Sequence, residues 1–165
     1  MNGAENDMTQ RKQEKPDTSG DPKMGPGSVF LAIDRKDWVF EGEHFFVIRD
    51  KYPVSEGNLL IISKIPRTDF FSLTEAERDE LPLMMDRAAD WVEAQETVSP
   101  DGFNIGMNCG EAAGQTVFHF HCHVIPRYHG DMEDPRGGVR HAVAGKGYYS
   151  PEESSVDCQE NSPEN

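Results

Sequence analysis

Little in this chain is basic, sulfur-bearing or continuously apolar, and each shortage excludes something. Sixteen Lys and Arg against thirty Asp and Glu leave a formal charge of −14. The excess is −1 over residues 1–28, −8 over 29–150 and −5 over 151–165, so every segment is acidic. A protein that grips duplex nucleic acid carries a basic stripe matched to the phosphates, and with none here nucleic-acid binding is not expected. Any anionic ligand must then be held by local hydrogen-bond donors. The three cysteines, Cys109, Cys122 and Cys158, form no Cys-x-x-Cys pair. That argues against a disulfide framework and a thiolate zinc site, and fits a reducing cytoplasm. The start has no apolar h-region and apolar stretches run to only a few residues, so neither a signal peptide nor a membrane span is expected.

Aromatic and β-branched aliphatic side chains are missing altogether from residues 1–28, where Gly, Pro, Asp and Lys dominate. Such a composition cannot bury enough surface to offset the entropy of folding. Residues 151–165, "PEESSVDCQENSPEN", read the same way. The sequence predicts a disordered leader over 1–28, one domain over 29–150 and a disordered acidic tail over 151–165.

Within 29–150 the pattern is that of short strands. Trp38 to Phe40 and Phe45 to Ile48 flank "EGE", a hairpin signal, and Leu59 to Ser63 follow a Pro/Gly turn as a buried-strand run. The period then changes. Thr74 and Glu77 have capping-box spacing, and Leu81, Met84, Met85, Ala88, Trp91 and Val92 recur on one helical face, best read as core packing against a sheet. Pro82 lies inside this pattern and predicts either a kink or a short helix followed by a second. Strands over Phe103 to Cys109 and Val117 to Pro126, joined by the small-residue loop "GEAAGQT", predict another hairpin. "MEDPRGGVRHAVAGKGYY" reads as a loop and a last strand or extended arm. The fold class is α+β: a small antiparallel sheet with one main helix, or a kinked helix pair, packed on it.

The stretch "GQTVFHFHCHVIPR" puts His119, His121 and His123 at alternate positions. On a strand, alternate side chains share a face, so the three imidazoles form a row on the open side while Phe120, Cys122 and Val124 pack inward. At about 3.3 Å per residue, neighbours lie about 6.6 Å apart and the outer pair about 13 Å. The outer two are too far apart to share a metal ion, so a metal site needs a third ligand elsewhere, for which His129, His141 and Glu111 are available. The other reading is a central nucleophile with two helpers: an unperturbed imidazole, pKa about 6.5, is largely unprotonated near pH 7 and can attack phosphorus. Gly114, Gln115 and Thr116, just upstream, supply close backbone approach, an amide and a hydroxyl as neutral donors for phosphate oxygens. Cys122 points away from the row by parity and reads as a small packed hydrophobe.

"HFHCHVI", and the wider "NCGEAAGQTVFHFHCHVIPR", resemble the signature of the histidine-triad (HIT) superfamily of nucleotide hydrolases and transferases. "FFVIRDKYPVSEGNLLIISK" and "LTEAERDEL" resemble the family's ribose-side strand and helix start, so the similarity covers roughly residues 38–140. "GDMEDPRGGVR" is similar to the continuation in the bacterial diadenosine-polyphosphate-hydrolase-like branch rather than the phosphoramidase branch.

The resemblance implies a HIT-like sheet of about five strands and a nucleotide hydrolase; the residues, with no acidic cluster of the metal-dependent diphosphate-hydrolase type, demand no divalent metal, and no cofactor is expected. In it His121 attacks an α-phosphorus to form a nucleotidyl-histidine, His119 orients that ring, and His123 contacts the phosphate. It further implies phosphate contacts from Gln115, Thr116, Asn108 and Gly114, a ribose contact from Asp50, and a base-pocket position at Ile48. Arg127, Arg136 and Arg140 are candidates to reach the outer phosphates of a long ligand, with an ordinary solvated loop as the equal alternative. Where many members carry a fourth histidine bracing the triad, this chain has Asn58, whose amide can hydrogen-bond but cannot titrate. Dinucleoside polyphosphates are the leading substrate class. Adenylated amines with the same nucleophile, and a non-catalytic nucleotide sensor, are the alternatives. The resemblance also implies a homodimer with sheets joined edge to edge, which would cover an exposed edge strand.

Overall fold

The computed structural model describes residues 28–95 and 99–148. The expected leader over 1–28, except Ser28, and the expected tail over 151–165 lie outside the described residues. Five strands follow in chain order: β1 (Trp38–Glu41), β2 (Phe45–Arg49), β3 (Leu59–Ser63), β4 (Gly102–Gly106) and β5 (His121–Arg127), with one helix, α1 (Glu75–Gln95), between β3 and β4. All pairings are antiparallel and the spatial order is β1-β2-β3-β5-β4. The last strand therefore lies inside the sheet, between β3 and β4, with both neighbours supplying its ladder.

Both faces of the central strands are buried, which is why "FFVIR" and "LLIIS" read as continuous apolar runs rather than alternating ones. Alternate residues face opposite ways. Phe45, Val47, Leu59, Ile61, Cys122 and Val124 pack under Leu81, Met84, Ala88 and Val92 of α1. Phe46, Ile48, Leu60 and Ile62 form a second cluster with Phe30 on the other face. Phe30 comes from an arm over residues 28–33 whose 3-10 turn, Val29–Ala32, is capped by the Ser28 hydroxyl accepting from the Phe30 N–H.

The helix begins as its capping box predicts: Thr74 Oγ1 accepts from the Glu77 N–H (3.3 Å), and the Glu77 carboxylate accepts from the Thr74 N–H (2.6 Å). The alternative of two helices is corrected, because α1 runs unbroken through Pro82. Pro82 sits on the exposed side of the helix, where water can take the carbonyl that its missing N–H leaves free. At the "EGE" turn the carboxylate of Glu80 accepts from the Glu43 and His44 N–H groups (2.6 and 2.7 Å). A side chain at Gly42 would displace the ends of the Glu80 and Met84 side chains, so glycine lets the Glu80 carboxylate come close to the turn.

Two strand limits and one whole expected element depart clearly from expectation. β4 ends at Gly106 instead of Cys109, and β5 begins at His121 instead of Val117, so the whole stretch 107–120 is a connection. The cause is that Phe120 donates its N–H to the Arg67 carbonyl (2.5 Å), not to a neighbouring strand, and the side chain of Gln115 draws the loop inward. The expected last strand is instead loop and 3-10 turn, Gly138–Ala142, entered through Gly137 and Gly138 at φ 90° and 46°, a left-handed backbone that cannot continue a strand.

Candidate active site

The register places His121 opposite Ile62 and His123 opposite Leu60, so both imidazoles lie on the arm face. Cys122, between them, faces α1, and burial pushes its thiol up to about 12. It is a packing residue and no nucleophile. On the other side His123 stands opposite Gly106, where even a Cβ would meet nothing within 4 Å. The sheet is open beside that ring.

The row of three exposed imidazoles is corrected at its first member. His119 precedes the strand and is fully buried, with the ring of Phe30 edge-on at 5.6 Å. Its Nε2 lies 2.7 Å from the Ser63 carbonyl oxygen. A carbonyl can only accept, so Nε2 carries the proton and Nδ1 the lone pair. Among the described residues Nδ1 has no hydrogen-bond partner. Burial, the largest influence, lowers the pKa of His119, opposed by the bond to Ser63 and aided by the nearby His121. The ring is thus held neutral, as a structural piece.

His119 contributes to the site through its backbone. Its carbonyl lies 2.8 Å from His121 Nδ1, so by the same reasoning Nδ1 of His121 carries a proton and, in the neutral ring, Nε2 carries the free electron pair. Phe30 meets the ring of His121 edge-on at 5.2 Å, and His123 does so at 5.3 Å. His123 is lowered in pKa, first by burial and then by His121, with Asp50 acting in the opposite direction. Its Nδ1 lies 3.8 Å from Asp50 Oδ2, an ion-pair approach longer than a direct hydrogen bond. The other oxygen of Asp50 accepts from the Tyr52 N–H (2.9 Å).

Asp50, Asn108 and His123, together with Ile105 and Val139, line one cleft of about 440 Å³, within the range of small-ligand sites. Gly114 lies against Asn108: a Cβ there would come 3.9 Å from its amide nitrogen, and the residue holds φ 82°. Thr116 is exposed. Ile48 is buried beside Phe30 in the second apolar cluster.

Two of the expected site residues are occupied elsewhere. Gln115 was expected to offer its amide to phosphate, but both N–H groups of that amide donate to main-chain carbonyls, of Thr68 (2.6 Å) and Val117 (3.1 Å), while its oxygen accepts from Gly110 (2.7 Å). Buried polar groups take such partners when water cannot reach them, and Gln115 closes the loop from within. Asn58, expected to brace the imidazoles, bonds the Val54 N–H and the Leu59 and Val124 carbonyls. It supports β5 next to His123 through main chain, not through a ring.

Arg127 is tied to Asp131 and Asn104 and Arg136 to Asp134, while Arg140 reaches the Gly147 carbonyl. His129 pairs with Asp101 and His141 with the Arg136 carbonyl. Among the described residues no three His, Cys, Asp or Glu side chains converge. A second cleft, about 470 Å³, opens at the far end of β4 and β5 around Asp101, His129 and Asp131, away from both imidazoles. With those charges already paired, the cleft beside His123 is the better place for chemistry. Three participants had no sequence signal: Phe30, at the edge of an apparently featureless leader, and Ser63 and Arg67, whose contributions are main-chain carbonyls.

Comparisons with known proteins point to one family and one fold. A family model described as the HIT domain matches residues 34–130. A HIT-like protein of Mycoplasma genitalium is 38% identical over 88 residues, 53% of this chain and 61% of its own length. An AP-4-A phosphorylase of Mycobacterium tuberculosis is 33% identical over 119 residues, 70% of this chain and 60% of its own. The chain thus spans about three fifths of the length of these curated relatives. Among solved structures, a HIT family protein from Bacillus anthracis is 33% identical with a TM-score of 0.53, covering 69% of this chain and 70% of that one. A HIT family member from Bacillus subtilis is 26% identical with a TM-score of 0.56, covering 76% and 80%.

Proposed function

Since this chain belongs to the HIT family, we propose that it is a nucleotide hydrolase that cleaves at an α-phosphate through a covalent nucleotidyl-histidine on His121. The observation that supports this reading is the hydrogen bond from His121 Nδ1 to the His119 carbonyl, which leaves the lone pair of the neutral ring on Nε2. In the first step Nε2 bonds to phosphorus as the bond to the leaving oxygen breaks, and that oxygen departs with the electron pair. Water then attacks the phosphorus, its oxygen staying on the nucleoside monophosphate and its proton going to solvent, and the P–N bond breaks to restore the imidazole. His123, Asn108, Thr116 and the backbone at Gly114 hold the phosphate oxygens, Asp50 takes the ribose hydroxyls, and Ile48 contributes to the base pocket. No metal or cofactor takes part in these steps.

Dinucleoside polyphosphates are the first substrate class to test, since the AP-4-A phosphorylase relative carries one in its name. A second reading has its own support. The cleft beside His123 has Tyr52, Val54, Ile105 and Val139 in its lining, no Lys or Arg among the described residues, and the carboxylate of Asp50. Such a wall suits an uncharged or cationic leaving group, as in an adenylated amine, better than a chain of phosphates. The homodimer belongs to the same reading. β4 is an edge of the sheet, and Ile105 on it is 37% exposed. A second copy pairing there would satisfy free backbone groups. No helix among the described residues is long and apolar enough to cross a membrane.

The test is AMP release from diadenosine tetraphosphate and from an adenosine phosphoramidate, side by side, by wild type and His121→Ala. The substitution is expected to slow the better substrate at least about a thousandfold, the scale seen when a covalent nucleophile is removed. Acid-quenched wild type should carry the nucleotide on residue 121. Equal rates for the two proteins would end the proposal, and tight AMP binding with no turnover would leave a sensor in its place.

A further inference from the structure

We propose that Arg67 is a positioning residue for His121, acting through the peptide group that joins His119 to Phe120, and that Glu77 holds Arg67 in place for this task. The inference rests on reading His121 as the nucleophile. A trans peptide is a rigid plane whose N–H and C=O point in opposite directions. Here the N–H of that plane, on Phe120, donates to the Arg67 carbonyl (2.5 Å). The C=O of the same plane, on His119, accepts from His121 Nδ1 (2.8 Å). A rotation of the plane that released the imidazole would also break the bond to Arg67, so fixing one end fixes the other.

The plane needs such an anchor because it lies just before β5 and has no full ladder of its own. The end of β3 and the connector that leaves it supply it. Besides the Arg67 carbonyl, the Ser63 N–H donates to the Phe120 carbonyl (3.3 Å), the Ser63 carbonyl accepts from the His119 ring, and the Thr68 carbonyl accepts from Gln115. Arg67 is in turn held by its side chain, whose Nε donates to both carboxylate oxygens of Glu77 (3.0 and 2.9 Å). Glu77 is 2% exposed and stands in the first turn of α1. Burial by itself raises the pKa of its carboxyl, but the bonds from the Thr74 main chain and from Arg67 outweigh that and hold it below the usual value. The helix start, the connector and the nucleophile therefore form one contiguous series of bonds.

An ion pair serving stability alone would change melting and leave the proton on His121 where it is, and this separates the two roles. In the full chain with 15N-labelled histidine, the imidazole spectrum reads which nitrogen of His121 carries the proton, while AMP release gives kcat and KM. Arg67→Met is expected to move His121 from the Nδ1–H tautomer toward a mixture and to lower kcat roughly tenfold at unchanged KM, the size of effect a small misplacement produces. Glu77→Gln should act in the same direction but less, and Arg67→Lys should restore part of the loss. Val92→Ala, which opens a gap in the core about four turns of α1 away from Glu77, should lower the melting temperature with no change in tautomer or kcat. An unchanged His121 tautomer in both Arg67→Met and Glu77→Gln would overturn the proposal, as would an equal tautomer change in Val92→Ala. If Arg67→Met does not fold, Glu77→Gln carries the comparison. If wild type turns over no nucleotide, the function above fails, while the tautomer measurement still decides the role of Arg67.

Discussion

The two faces of the sheet are covered in opposite ways. Against one lies α1, and the strand residues packed beneath it, Phe45, Val47, Leu59, Ile61, Cys122 and Val124, are apolar, while Arg49 at the end of β2 lies over the Trp91 ring. Against the other lies a short arm that contributes one buried aromatic, Phe30, whose ring meets His121 edge-on, and there His121 and His123 remain half-buried and able to meet a ligand. The same strand serves both faces, alternating Cys122 and Val124 toward the helix with His121 and His123 toward the arm. A small domain can thus place its stability on one side and its chemistry on the other, provided that parity is kept.

Changes on the helix face should have the largest effect on stability. Phe45 is fully buried and meets Phe120 edge-on at 5.8 Å. Truncation to Ala is expected to cost about 3–5 kcal/mol of unfolding free energy, measured by urea titration, with catalysis per folded molecule little altered. Loss of activity out of proportion to unfolding would mean that the faces are not separable.

Phe30→Ala is the converse change. Losing this partly peripheral ring should cost on the order of 2 kcal/mol, yet its effect on activity should be larger than that of Phe45→Ala, because the ring touches both His119 and His121. Calorimetry on the variant together with its kcat would check both parts.

The smallest effect is a pH dependence. The folded pKa values of His119 and His123 are both depressed from 6.5, chiefly by burial. Above that value both are neutral folded or unfolded and their contribution to stability is complete. As pH falls below it, the unfolded chain takes up protons that the folded one refuses, and stability declines. Melting temperature should therefore fall between pH 7 and pH 5, and less steeply in Phe30→Ala, where water reaches His119. A flat profile in wild type would contradict the buried, neutral state of His119.

The helix face was legible in the sequence and the arm face only in part. Helical spacing from Leu81 to Val92 and the capping box at Thr74 are local patterns, and each strand of the central sheet announces itself by β-branched and aromatic runs. The alternation of histidines marked His121 and His123 for the same reason. It misplaced His119, because a period of two says nothing about where a strand begins, and that start is decided by Arg67, a residue far away in sequence. Gln115 looked like a phosphate donor because loops rich in glycine offer one. Its partners, Gly110, Thr68 and Val117, are main-chain groups that no side-chain pattern reveals. Phe30 was hidden by its neighbours, since a single aromatic beside a polar leader carries no periodicity.

The measurement that bears most directly on this account is a crystal structure of the full chain with AMP bound. It should show the phosphorus about 3–3.5 Å from His121 Nε2, the distance of a near-attack arrangement, with the His119 carbonyl still bonded to Nδ1. Phosphorus lodged instead in the cleft around Asp101, or a His121 ring turned so that Nδ1 faces the phosphate, would contradict it.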